Sequence, residues 1–181
     1  LVILGLIIAA ALLRRWVRRS SASAGKRAGA RYTAERTKEI VDALGVTVVI
    51  HAPEAVAAEL VHRAVATRSK DFHLRPDGAI GIRFLEPDDT IVRLLPGPTE
   101  TLLRIDTFRD YLGSPQTAPL WQDLRALVRT EAAARRIAVS EGPVSPFERG
   151  ALLDDRNARW FRREGTAPQM GGHDSPPTQL G

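Results

Sequence analysis

Thirteen consecutive residues, Leu1 to Leu13, carry only apolar side chains apart from Gly5, and Arg14, Arg15, Arg18 and Arg19 follow at once. A run of this kind must leave water, into a protein core or into a bilayer. At ~1.5 Å per residue it reaches roughly 20 Å, short of a ~30 Å hydrocarbon core, so further apolar residues are expected ahead of Leu1. Trp16 sits among the arginines, where an indole favours the bilayer interface. A secretory signal places its charges before the apolar stretch rather than after it. By the positive-inside rule the order here predicts a single-pass anchor in the cell membrane, with the rest of the chain cytoplasmic. Arg14, Arg15, Trp16, Arg18 and Arg19 are then the candidate membrane-interface residues, and the bilayer and its anionic head groups the expected partners. The alternative is a buried helix of a soluble protein.

The charge is unevenly spread. Residues 1–31 hold seven basic groups and no acid, residues 32–142 hold 14 basic and 16 acidic groups, and residues 143–181 hold five of each. The net charge of +5 therefore comes from the collar beside the apolar run. The remainder has no basic excess, which argues against a nucleic-acid partner. Cysteine is absent, which excludes disulfides, thiolate metal sites and a cysteine nucleophile.

Composition and periodicity divide the chain into an anchor and collar (1–19), a small-residue linker (20–31), an α+β domain (32–142), a short amphipathic helix (143–163) and a disordered tail (164–181). Within the domain, a helix from Thr33 to Leu44 precedes a β-branched strand, Val46 to Ile50. Pro53 opens a second helix running to about Arg68. Strands are predicted over Phe72 to Leu74, Ala79 to Leu85, Thr90 to Leu95 and Thr101 to Thr107, separated by Pro, Gly and Asp turns. Pro119 opens a long helix to about Val139. The pattern Ser145-Pro146-Phe147-Glu148 reads as a capping box for the last helix. The expected fold class is α+β: an antiparallel four- to five-stranded sheet packed on a long C-terminal helix, in the order β-α-β-β-β-β-α, behind an N-terminal transmembrane helix.

The segment Val46 to Val61 (VTVVIHAPEAVAAELV) resembles the opening of START/polyketide-cyclase-like, or helix-grip, proteins, with Ala52, Pro53, Glu54, Val56 and Leu60 on the matching positions. The family's usual aromatic near Ala57 is missing. The resemblance implies a curved sheet gripping the long helix and a ligand cavity between them. Ile80, Ile82, Phe84, Leu103, Ile105, Leu124 and Leu127 are the residues that would line it.

No catalytic set emerges. His51, His62 and His73 recur at intervals of 11 residues, but they fall on different elements and do not converge as metal ligands must; His173 lies in the tail. Asp88 and Asp89 fit a turn, where a carboxylate bonds nearby backbone N–H groups. Ser69, Asp71 and His73 lack the elbow of a serine hydrolase. Arg83, Arg93 and Arg104 fall in successive strands and are expected to pair with Glu100 and Asp106 on the solvated sheet face. Leu152, Leu153, Trp160 and Phe161, flanked by arginines, are candidate anchors for a protein partner. Two readings follow, neither requiring a cofactor: a membrane-anchored, non-catalytic scaffold or protein-interaction module, and alternatively a small helix-grip-type domain binding a lipid or another hydrophobic ligand.

Overall fold

The computed structural model describes residues 34–163. Helix α1 (34–45) leads directly into β1 (Val46–Ile50), where β-branched side chains favour an extended backbone. Pro53 stands at the N-cap of α2 (Glu54–Ala66), its ring fixing a φ of −58° that suits helix entry. Helical spacing places Ala57, Leu60, Val61, Ala64 and Val65 of α2 in the core. A meander follows: β2 (Phe72–Leu74), β3 (Ile80–Ile82), β4 (Thr90–Pro96) and β5 (Thr101–Tyr111). Leu112 and Gly113, both at positive φ, turn the chain into the short β6 (Ser114–Pro115). Then come α3 (Ala118–Ala134), β7 (Val139–Val144), β8 (Phe147–Leu152) and β9 (Ala158–Arg162).

Strands β2, β3, β4 and β5 are antiparallel neighbours in that order. The 11 residues of β5 then require more than one partner on the far edge. β1 covers the first part, with Ile50 opposite Thr101 and Val48 opposite Leu103. β9 covers a later part, with Phe161 opposite Thr107 and Arg159 opposite Arg109. β7 pairs with β1, and β8 with β9. So β1 and β9 lie end to end along β5, and β7 and β8 lie end to end outside them. Two backbone bonds stitch the junction: Ser145 N–H to the Gly45 carbonyl at 3.0 Å, and Arg163 N–H to the Pro146 carbonyl at 2.9 Å.

One face of this sheet is apolar. Val48, Ile50, Phe72, Ile80, Ile82, Val92, Leu103, Ile105 and Phe108 pack with α2 and with Trp121, Leu124 and Val128 of α3 in a single buried cluster. Ion pairs tie the end of each helix to the other: Arg68, just past α2, to Asp123 of α3 at 2.6 Å, and Arg135, just past α3, to Glu59 of α2 at 3.1 Å.

Asp110, near the end of β5, is fully buried. Its Oδ1 accepts the Ala158 N–H at 2.6 Å, and its Oδ2 accepts Arg149 Nε and Trp160 Nε1, each at 3.0 Å. One carboxylate thus holds both strands of the β8–β9 hairpin to the sheet. Trp160 then stacks on Phe108 with centroids 5.6 Å apart, and Phe147 meets Phe108 edge-on at 4.8 Å.

Four expectations are corrected. The sheet has nine strands rather than four or five, and α3 is not the terminal element, so the expected helix-grip-like order is not the architecture. α3 stops at Ala134, and Arg136 takes a left-handed φ of 57°, which leaves Val139 free to begin β7. Residues 143–163 form no helix. Their capping-box pattern yields to tertiary pairing, because a strand sends Trp160 inward onto Phe108 while the hairpin satisfies its backbone on β5. Finally, no helix among the described residues is long and apolar enough to cross a membrane; α3, with 17 residues, carries Asp123, Arg125, Arg129 and Glu131. The expected single-pass anchor and cell-membrane location are therefore not supported by the described residues. Residues 1–13 and the interface set Arg14, Arg15, Trp16, Arg18 and Arg19 lie outside the described residues, as do the expected linker and tail.

Asp110→Ala leaves a buried indole N–H and a backbone N–H without an acceptor. It is expected to lower the unfolding free energy by about 3 kcal/mol, read from urea denaturation. A loss below about 1 kcal/mol would mean that the aromatic stack alone holds the hairpin.

Candidate functional site

α1 and the β8–β9 hairpin enclose an open groove of about 450 Å³. Its lining is mainly apolar: Ala34 and Val41 from α1, and Pro146, Phe147 and Trp160 from the hairpin. Lys38 and Asp42, an exposed i,i+4 ion pair at 2.6 Å, stand on the rim beside Thr37. The floor is rigid because Trp160 and Phe147 are held against Phe108, and Trp160 is bonded to Asp110.

Of the expected docking residues, Trp160 therefore lines the groove. Phe161, its neighbour in β9, points to the opposite face, as strand alternation requires. Phe161 lies over Gly150, where a Cβ would come within 2.6 Å of its ring. Leu152 and Leu153 are about half exposed, at the hairpin turn. Of the expected cavity residues, Ile80, Ile82, Leu103, Ile105 and Leu124 are fully buried core, Leu127 packs partly against it, and Phe84 stands outside. Phe84 is displaced because Asp89 ends β3 early. Asp89, fully buried, accepts the N–H groups of Phe84, Leu85 and Glu86 on Oδ2 and the Tyr111 hydroxyl on Oδ1 at 2.6 Å. The chain bends into a loop there, and Phe84 meets the Tyr111 ring at 5.6 Å instead of the core.

The outer sheet face is charged. Arg93 bonds Asp77 at 2.9 Å and Asp106 at 2.8 Å, and Arg104 Nε lies 3.4 Å from Asp106 Oδ1. Arg83 takes no part in the pairs among the described residues. Glu100 instead approaches His51. His73 bonds Asp88 at 3.2 Å across Gly81, where a Cβ would fall 2.1 Å from the imidazole, and Arg75 bonds the same carboxylate. Arg75 holds Asp88 below the usual carboxylate range. His62 is exposed on α2. No three His, Asp or Glu side chains among the described residues converge on a metal position.

One constellation escapes sequence reading. His51 Nε2 lies 2.9 Å from Ser140 Oγ, and His51 Nδ1 lies 3.6 Å from Glu100 Oε2. The three residues are far apart in the chain, and only the registers of β1 with β5 and β7 bring them together. The order is that of a nucleophile, a base and an orienting carboxylate. The setting is different: His51 and Glu100 are each more than 40% exposed, so the serine is open to bulk water.

The comparisons supply no relative: no family model matches the chain, and no curated protein or solved structure is significantly similar to it.

Burial, and then the hydrogen bond to Asp89, push the Tyr111 phenol up to about 12. An unfolded tyrosine releases its proton near pH 10. Between those values the native state keeps a proton that the unfolded state has lost, so this contribution is intact below about pH 10 and disappears as pH rises toward 12. Tyr111→Phe is expected to be about 1 kcal/mol less stable than wild type at pH 8 and to lack that decline, so urea midpoints of the two proteins should converge by pH 12.

Proposed function

We propose that this chain is a non-catalytic binding module that takes an apolar segment of a protein partner into the groove between α1 and the β8–β9 hairpin. The groove itself carries this reading: an apolar trough with an aromatic floor and a charged rim. An amphipathic helix laid in such a trough buries its apolar face and leaves its polar face near Lys38 and Asp42. Preorganised aromatic side chains at the floor lose little freedom on binding, which is what makes Trp and Phe effective anchors. The relay at Ser140 does not favour an enzyme, because it is unsheltered.

A second reading has its own support. A volume of about 450 Å³ lies within the range of small-molecule sites, so an apolar ligand is the alternative occupant.

Thr37 lines the groove outside the buried core, so Thr37→Trp fills the trough without disturbing the fold. A photoreactive side chain at position 37 of the full chain is expected to cross-link one protein partner, and one at exposed Lys70 is not. Thr37→Trp is expected to reduce retention of that partner at least about tenfold. Undiminished retention would end the proposal. Native mass spectrometry that finds an extractable apolar adduct, lost in Thr37→Trp, would favour the small-ligand reading instead.

A further inference from the structure

We propose that the seam of the sheet, where the ladders of β1 and β9 stop short of each other on β5, binds a phosphate group that keeps one proton. This inference does not depend on the groove.

Between Leu103, the last β5 residue paired with β1, and Thr107, the first paired with β9, the outer edge of β5 has no strand beside it. Arg162 occupies that gap. Its Nε donates to the Ile105 carbonyl at 2.7 Å, replacing the missing ladder bond, and its guanidinium lies over the Phe147 ring at 5.3 Å. The two terminal nitrogens are buried and find no hydrogen-bond partner among the described residues. Burial, and then Arg104, push its proton affinity down, with Asp106 opposing. A guanidinium held with its fork unpaired beside another guanidinium is the arrangement an oxyanion stabilises, because two parallel N–H donors match two oxygens.

The neighbours narrow the class. Arg104, Asp106, Phe161 and Arg162 line a cavity of about 180 Å³, room enough for a tetrahedral oxyanion. Arg104 Nε is a further buried donor without a bond, and Asp106 Oδ1 is a buried acceptor without one, although the two lie 3.4 Å apart. Two guanidinium groups, Arg93 and Arg104, approach the Asp106 carboxylate, Arg162 lines the same cavity, and Asp77 lies beyond on Arg93. The site is thus cationic yet offers one acceptor. An ionised carboxylate or sulfate has no proton to give Asp106, whereas a protonated phosphate has one and fills both roles. Phe161 is half exposed and forms the mouth, which leaves room for an organic substituent on the phosphate as well as for the free ion.

The test uses the full chain at one ionic strength and at about pH 5.5, where a phosphate monoester also keeps one proton, with thermal unfolding and titration calorimetry against inorganic phosphate, phenyl phosphate and sulfate. A rise in the unfolding midpoint with either phosphate and none with sulfate supports the site, and the stronger of the two names the source as free phosphate or a phosphate ester. Arg104→Gln, which leaves the Arg162 bond to β5 in place, is expected to weaken phosphate at least about tenfold. Asp106→Asn can donate as well as accept, so it should admit sulfate and erase the discrimination. No response to either phosphate, or an equal response to sulfate in the unaltered chain, overturns the proposal.

Discussion

Strand β5 is longer than any single neighbour on its outer edge, and the rest of the sheet follows from how that edge is shared. A strand of 11 residues left half covered would expose a row of unpaired N–H and C=O groups. β1 takes one end and β9 the other, although they come from opposite ends of the described chain. β7 and β8, adjacent in sequence, then continue outward from each. The sharing makes one sheet from a meander and two flanking strand pairs, β1 with β7 and β9 with β8, and leaves a short gap that a side chain, not a strand, must fill.

Buried carboxylates set the two ends of this arrangement. Asp89 gathers three backbone N–H groups and a phenol, fixing the loop after β3. Asp110 gathers a backbone N–H, an indole and a guanidinium, fixing the hairpin. A buried charge is costly unless its acceptor positions are filled, and each of these is saturated by groups it positions. The aromatic floor of the groove and the mouth of the seam are both parts of the hairpin that Asp110 holds.

Local signals were strong where one face or one residue type decided the outcome. The β-branched run at Val46 to Ile50 gives β1, Pro53 starts α2, and the alternation around Leu103 and Ile105 gives β5. Asp89 plays the turn role that its position suggested. Sequence failed where distant pairing decided. Trp160 and Phe161 looked like one anchor cluster on a helix, yet a strand sends them to opposite faces, and nothing local announces that Phe108 is waiting. Phe84 continued the alternation of Ile80 and Ile82 until a carboxylate seven residues beyond Ile82 pulled the backbone away. The His51, Ser140 and Glu100 contact and the seam at Arg162 depend on registers between strands far apart in the chain, which no short pattern encodes.

The shared edge also orders events during synthesis. Everything from β1 to α3 leaves the ribosome before the strands that flank the later part of β5. Until β8 and β9 arrive, the Phe108 ring lacks its stacking partner and Asp110 lacks all three of its donors. The nascent domain at that stage is a half-covered sheet with an open strand edge, the form most exposed to mispairing with another chain. The hairpin is thus a closing element, and a chain halted after α3 would carry the weakness that the finished one conceals.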